Sequence, residues 1–240
     1  MLDLSRSCSE NMLADWLFAQ ECRFLRGVPA FGQLPDLKGV EFCFAGRSNV
    51  GKSSLINALV NRKKLVRASS WPGRTQEINF FTLSDTIIFV DLPGYGYTRA
   101  PKGVSHNWQK GVHHYLKGSK NLTRVFLLLD SRRGARKSDM EMMAMLAELC
   151  ISFQLVLTKS DKISATEQTE LLDDLMMLIA KDFSTACPEI IATSTRGLRG
   201  IDQLRRGILP FIRRETFPDR LHKAFDNIRV YNPVSSTRII

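Results

Sequence analysis

Residues 40–60 read VEFCFAGRSNVGKSSLINALV. Six mostly apolar residues open the stretch, the composition of a strand buried on both faces. Gly46-Arg47-Ser48-Asn49-Val50-Gly51-Lys52-Ser53 follows and runs through Ser54 into a helical pattern that reaches Val60. Glycines let the backbone curl so that successive N–H groups face phosphate oxygens, and the helix N-terminus adds partial positive charge. At this spacing Lys52 reaches the β- and γ-phosphates of a nucleotide, and the Ser53 hydroxyl ligates Mg²⁺. A strand, such a loop and a helix in this order define a nucleotide-binding α/β unit.

Working outward, apolar runs suited to strands recur at residues 40–45, 78–83, 86–90, 123–129, 153–157 and 190–193. Helical patterns lie between them. Two are introduced by capping-box signatures, Ser138 with Glu141 and Ser164 with Glu167. Alternation of this kind predicts an α/β fold: a mostly parallel six-stranded sheet with helices on both faces, whose ligands bind beyond the carboxyl ends of the strands. Leu171, Leu175, Leu178 and Ile179 share one helical face, and Met140, Met142, Met143 and Met145 are read as packing too. Residues 9–26 read as a helix that ends at Gly27-Val28-Pro29, with Leu13, Trp16, Leu17 and Phe24 as packing positions, and residues 32–39 read as a linker.

Two further motifs fall at predicted strand ends. Asp91, in DLPGYGY (residues 91–97), suits a carboxylate holding Mg²⁺ through water, and Gly94 can bring its N–H close to a γ-phosphate. Thr158-Lys159-Ser160-Asp161 reads the base. A carboxylate accepts from guanine N1–H and the N2 amine together, whereas adenine leaves it unpaired, so Asp161 selects guanine. The Lys159 stem lies along the base face. The segment Thr193-Ser194-Thr195 offers backbone N–H groups to the guanine O6, in a register of either Thr193-Ser194 or Ser194-Thr195.

The chain has 240 residues, 44% hydrophobic and 24% charged, which is ordinary for a folded α/β domain. Its apolar runs are too short to span a bilayer, and the N-terminus lacks a basic-then-apolar secretory pattern. Five scattered cysteines without a CxxC pair fit reduced thiols in the cytoplasm. His106, His113 and His114 make no metal site, since the adjacent His113 and His114 point to different helical faces. The net charge is +10, unevenly spread. No acidic residue lies between Asp91 and Asp130, an interval holding Arg99, Lys102, Lys110, Lys117, Lys120 and Arg124. Arg62, Lys63, Lys64, Arg67 and Arg74 form a second cluster, and the stretch from Arg196 to Arg214 a third. Together they predict a polyanionic partner, RNA ahead of membrane.

GRSNVGKSSLINAL (46–59), WPGRTQEINFF (71–81), DLPGYGY (91–97), TKSDK (158–162) and TSTRGLRGI (193–201) together resemble the translation-factor class of P-loop GTPases. Within it, residues 24–212 look like the EngB/YihA/YsxC family of ribosome-biogenesis GTP-binding proteins. The resemblance implies a Ras-like three-layer fold with a GTPase domain at 40–214; the N-terminal helix and linker at 1–39 and the basic tail at 215–240 are read apart from it, the tail as either a disordered RNA-contacting arm or a floppy terminus. It implies binding of GTP and GDP with Mg²⁺ and slow intrinsic hydrolysis. It also implies a role in assembling the large ribosomal subunit on pre-ribosomal particles. Apart from the resemblance, the chain is expected to act in the cytoplasm as a monomer, with neither DNA nor membrane as partner. Gly73, Arg74 and Thr75 would close over the nucleotide, with Thr75 ligating Mg²⁺. Asn49 is similar to the P-loop asparagine that helps hold an activating K⁺ ion in related GTPases; the alternative is that it only braces the switch segment carrying Thr75.

The sequence departs from the wider class at two site positions. Thr158 stands where that class has asparagine, a substitution this family shares. Tyr95 stands where Ras-like enzymes place a water-orienting glutamine, which an aromatic ring cannot replace. Lys52, Thr75, Gly94 and Asn49 are therefore the catalytic candidates, helped by K⁺, another polar group or a ribosomal partner. A nucleotide-binding RNA or ribosome scaffold with negligible hydrolysis is the alternative.

Overall fold

The computed structural model describes residues 2–29, 32–66, 77–96 and 102–229. Its strands are β1 (Cys22–Pro29), β2 (Val40–Gly46), β3 (Glu77–Leu83), β4 (Ile87–Asp91), β5 (Leu122–Asp130), β6 (Phe153–Thr158) and β7 (Ile191–Ala192). The helices are α1 (Leu2–Phe18), α2 (Lys52–Leu59), α3 (Lys102–Gly118), α4 (Lys137–Glu148), α5 (Ala165–Asp182), α6 (Ile201–Arg206) and α7 (Asp219–Arg229).

The strands form one sheet in the order β1-β3-β4-β2-β5-β6-β7. From β4 to β7 all pairings are parallel; β3 joins β4 and β1 joins β3 antiparallel. The β3–β4 turn places Ser84 and Asp85 both at φ 54°, the left-handed conformation that tight hairpins require at their two central residues. β2 lies between β4 and β5, where the chain order reverses, so the loop after β2 opens into the crevice that such sheets reserve for ligands.

Each central strand buries both faces, which is why its sequence reads as an unbroken apolar run. Phe42, Phe44, Phe89, Phe126 and Val156 face α1, α2, α6 and α7. Cys43, Ala45, Val90, Leu127 and Leu155 face α3, α4 and α5. On the first side Phe44 sits 5.4 Å from Phe126 and 5.7 Å from Phe89, centroid to centroid, so an aromatic layer lies beneath the P-loop helix. On the second, the buried Glu41 carboxylate accepts from the Tyr115 hydroxyl and, at 2.9 Å, from the Ser119 hydroxyl. These bonds tie the end of α3 to the foot of β2.

Four expectations change. The sheet has seven strands, because part of the segment read as helix 9–26 is β1: the helix stops at Phe18, and Cys22–Pro29 pairs along the outer edge of β3. Phe24 is thus a strand residue, 52% exposed, resting edge-on 5.4 Å from Phe81. The capping of α4 falls two residues earlier than Ser138 with Glu141: the Asp139 carboxylate accepts from Arg136 N–H at 2.9 Å. The box at Ser164 is present as read, with Glu167 N–H donating to the Ser164 hydroxyl.

The fourth concerns the segment read as a flexible tail. Within it, residues 219–229 form α7, and Leu221, Phe225 and Ile228 are buried in the same cluster as Leu13 and Leu17 of α1. Phe225 lies 5.4 Å from Phe217, which in turn contacts Trp16. Residues 230–240 lie outside the described residues. Truncating an aromatic side chain this buried costs about 3–5 kcal/mol. Phe225→Ala should lower the urea midpoint accordingly, whereas Asp226→Ala, in the same helix but exposed, should change it far less.

Candidate nucleotide-binding site

The loop between β2 and α2 leaves the sheet at Gly46, where a Cβ would stand 2.9 Å from the Val50 side chain and 3.1 Å from Leu128. Asn49 (φ 63°) and Gly51 (φ 111°) adopt left-handed conformations that curl the chain. The first bond closed at the start of α2 is Leu55 N–H to Gly51 O, at 2.9 Å. The preceding N–H groups, at the helix N-terminus, are oriented for an external acceptor. With Lys52, Ser53 and Ser54 in the first turn of α2, this is an anion cradle.

The loop is held by its carbonyls. Thr158 Oγ1 donates to Val50 O at 2.6 Å and lies 3.2 Å from Leu129 O. Lys159 Nζ donates to Asn49 O at 2.7 Å. On the other side the β2–β4 ladder continues past the strands: Tyr95 N–H donates to Gly46 O at 3.3 Å, and Ser48 N–H to Tyr95 O at 2.9 Å. Gly94 passes so close that a Cβ would stand 3.0 Å from Ser48. Any side chain there would need Ser48 to give way.

Lys52 and Asp91 form a largely buried ion pair at the carboxyl ends of β2 and β4. Ser53 follows on the same helix turn. A hydroxyl, a carboxylate and a phosphate cradle side by side are the hard oxygen donors that Mg²⁺ takes when a nucleotide supplies the rest. The residues present fit that ion. Gly73, Arg74 and Thr75 lie outside the described residues, as do Trp71 and Tyr97.

At the base end, Ser194 Oγ donates to Asp161 Oδ1 at 2.6 Å, and this bond is the main reason the Asp161 carboxyl is held below the usual carboxylate range. The Thr158 side chain is buried against the P-loop, so its part in the site is to join base motif and phosphate loop. Thr193 N–H and Oγ1 both donate to Leu157 O at 2.7 Å, and Ser194 N–H donates to Arg199 O at 3.0 Å. Among the described residues the N–H of Thr195 has no such acceptor, whereas those of Thr193 and Ser194 are engaged.

Three supporting residues, Asp130, Arg132 and Asp139, were not read as site residues from the sequence. Asp130, at the end of β5, accepts from Lys159 Nζ at 2.9 Å and from Arg132 Nε and Nη2 at 2.9 and 2.7 Å. Those arginine bonds, and then Lys159, hold its carboxyl well below the usual range against the opposing effect of burial. Its placement mirrors that of Asp91, an acidic residue closing an apolar run, and that was the available signal. Asp139 is buried and accepts from the Tyr95 hydroxyl at 2.7 Å. Tyr95 therefore binds the glycine loop to the start of α4.

A P-loop closed by a guanine-type base motif on one side and an Asp-x-x-Gly loop on the other defines a GTP-binding protein of the P-loop GTPase class. Residues 41–159 match the family described as 50S ribosome-binding GTPase. The chain is 49% identical to the probable GTP-binding protein EngB of Roseobacter denitrificans over 79% of its own length and 87% of that protein. It is 50% identical to the protein of that name from Ruegeria pomeroyi, with the same coverage. A crystal structure of a probable GTP-binding protein EngB aligns with a TM-score of 0.59 at 28% identity, covering 72% of this chain and 98% of that one. The chain belongs to the EngB family of GTP-binding proteins.

Two substitutions test the supporting shell. Hydrogen bonds to charged groups contribute about 1.5–3 kcal/mol, the lower end being about tenfold in affinity. Asp130→Asn should weaken GDP and GTP alike by about tenfold in fluorescent-nucleotide titrations, leaving kcat at saturating GTP unchanged. Tyr95→Phe removes the hydroxyl that stabilises ionised Asp139, whose carboxyl burial pushes above its ordinary value. A carboxyl raised in the folded state favours folding most when protonated, below its unfolded value, and loses that contribution as pH rises through the folded value. The deficit of Tyr95→Phe, about 1–3 kcal/mol at neutral pH, should therefore shrink in chemical denaturation as pH falls and Asp139 takes a proton.

Proposed function

We propose that this chain is a GTP-hydrolysing switch that assists assembly of the large ribosomal subunit. The observation that carries the switch is the zipping of the Asp-x-x-Gly loop onto the P-loop, through Ser48 N–H to Tyr95 O and the close pass of Gly94 over Ser48. A group arriving at the phosphate cradle meets both segments at once. The ribosomal half rests on the family's description as a 50S ribosome-binding GTPase and on the chain's net charge of +10.

In this reading the loop from Gly46 through Ser54 wraps the phosphates, with the N–H groups of Gly51, Lys52, Ser53 and Ser54 aimed at them, and Lys52 turns from Asp91 toward the β- and γ-oxygens. Ser53, Thr75 and, through water, Asp91 hold Mg²⁺, which when bound neutralises charge developing on the phosphates. Gly73 and Arg74 carry Thr75 over the nucleotide, and the Gly94 N–H senses the γ-phosphate. Lys159 covers the base face, Asp161 takes the guanine N1–H and N2 amine, and Thr195 N–H meets O6. Asn49, exposed on the loop, is the candidate K⁺ ligand. The domain expected at 40–214 works together with β1, α1 and α7, which complete its sheet and core, and the chain acts in the cytoplasm as a monomer.

The second reading, a scaffold with negligible hydrolysis, is favoured by one contact. Tyr95, in the slot of the water-orienting glutamine, has its hydroxyl on Asp139. Single-turnover hydrolysis in K⁺ and in Na⁺, with and without large subunits, separates the two: the switch requires a rate that rises with K⁺ or subunits. Co-sedimentation with large-subunit particles should be stronger with a non-hydrolysable GTP analogue than with GDP. Equal binding in both states would sink the switch.

A further inference from the structure

The loops after β5, β6 and β7 leave three neighbouring parallel strands at the same end of the sheet as the P-loop. Their acidic groups are engaged internally. Asp130 is taken by Arg132 and Lys159, Asp139 is buried against Tyr95, and Asp161 accepts from Ser194. The cations are not. Arg133, Arg136 and Lys137 on the first loop and Arg196 and Arg199 on the third are exposed. None of the five lies within ion-pair distance of a carboxylate among the described residues. They flank the base motif on both sides.

We propose that this cationic rim around the base end of the nucleotide site is the surface on which the protein docks RNA, through the phosphate backbone. Four of the five cations are arginines, whose fork pairs with two phosphate oxygens at once. A protein partner would need an apolar centre to its interface, and the rim offers a single exposed large apolar residue, Leu198, at the tip between Arg196 and Arg199. Leu198 sits there at φ 54°, a conformation costly for a leucine, with its side chain 53% exposed. On the neighbouring α5, Glu170, Asp173 and Asp174 are exposed, so a polyanion is repelled there and confined to the rim. The choice of RNA among polyanions rests on the ribosomal reading above; the location does not.

The test uses the full chain loaded with GDP and a fluorescent RNA hairpin, with affinity measured between about 50 and 200 mM salt. Each phosphate contact contributes about 0.7–0.9 to the slope of log affinity against log salt. Arg133→Ala/Arg136→Ala/Lys137→Ala should flatten the slope by about 2–3, and Arg196→Ala/Arg199→Ala by about 1–2. Arg26→Ala, an equally exposed cation on the distant edge strand β1, should leave it unchanged. Unchanged GDP affinity in each variant certifies the fold. Slopes unaltered in both rim variants, or altered as much per residue by Arg26→Ala, would overturn the proposal. Co-sedimentation with large subunits separates the two readings. Rim variants that sediment like the wild type overturn the rim alone, and a wild type that fails to sediment overturns the ribosomal reading.

Discussion

The 2.6 Å bond from the Thr158 hydroxyl to the Val50 carbonyl shows the constraint around which the molecule is arranged. A loop that must turn most of its N–H groups toward a phosphate has to be fixed largely through its carbonyls, with Val50 N–H to Arg47 O and Ser48 N–H to Tyr95 O as the exceptions. Val50 O is met by Thr158, Asn49 O by Lys159 and Gly46 O by Tyr95 N–H. These partners come from the ends of β6 and β4, so the sheet order that sets β4 and β5 beside β2 and β6 next to β5 is what lets them arrive. Base recognition and phosphate binding thereby share one rigid piece, and ordering the loop costs little additional entropy when a nucleotide enters.

The same economy appears in the charges. Buried carboxylates are expensive unless each has donors, and Asp91, Asp130 and Asp139 have them: Lys52; Arg132 with Lys159; Tyr95 with the Arg136 N–H. Because the acids are used inside, the positive charge of the same loops is left facing outward. An uneven charge distribution that is merely a count along the chain becomes, in three dimensions, a separation between internal acids and external bases.

How much of this was legible follows from how local each signal is. Strands buried on both faces announce themselves as apolar runs, and the P-loop, Asp91 and Asp161 sit in motifs whose spacing carries the chemistry. Cys22–Pro29 does not: as an edge strand it alternates little and carries two arginines, so it reads as the continuation of the helix before it. Residues 219–229 spread Leu221, Phe225 and Ile228 among charged neighbours, and their burial depends on α1, some two hundred residues earlier in the chain. Asp139 was hidden for a similar reason. Its partner Tyr95 is 44 residues away in sequence, and no local pattern joins a glycine loop to the first turn of a later helix.

The burial of α7 against α1 also bears on how the molecule comes into being. The layer of α3, α4 and α5 has all its buried side chains once Phe183 has been made, and chains emerge N-terminus first. The opposite layer, on which α2 and the phosphate loop rest, draws Phe217, Leu221, Phe225 and Ile228 from the last stretch of the described chain. Synthesis thus finishes one side of the sheet well before the other. The layer that supports the phosphate loop is the later of the two to receive its buried side chains.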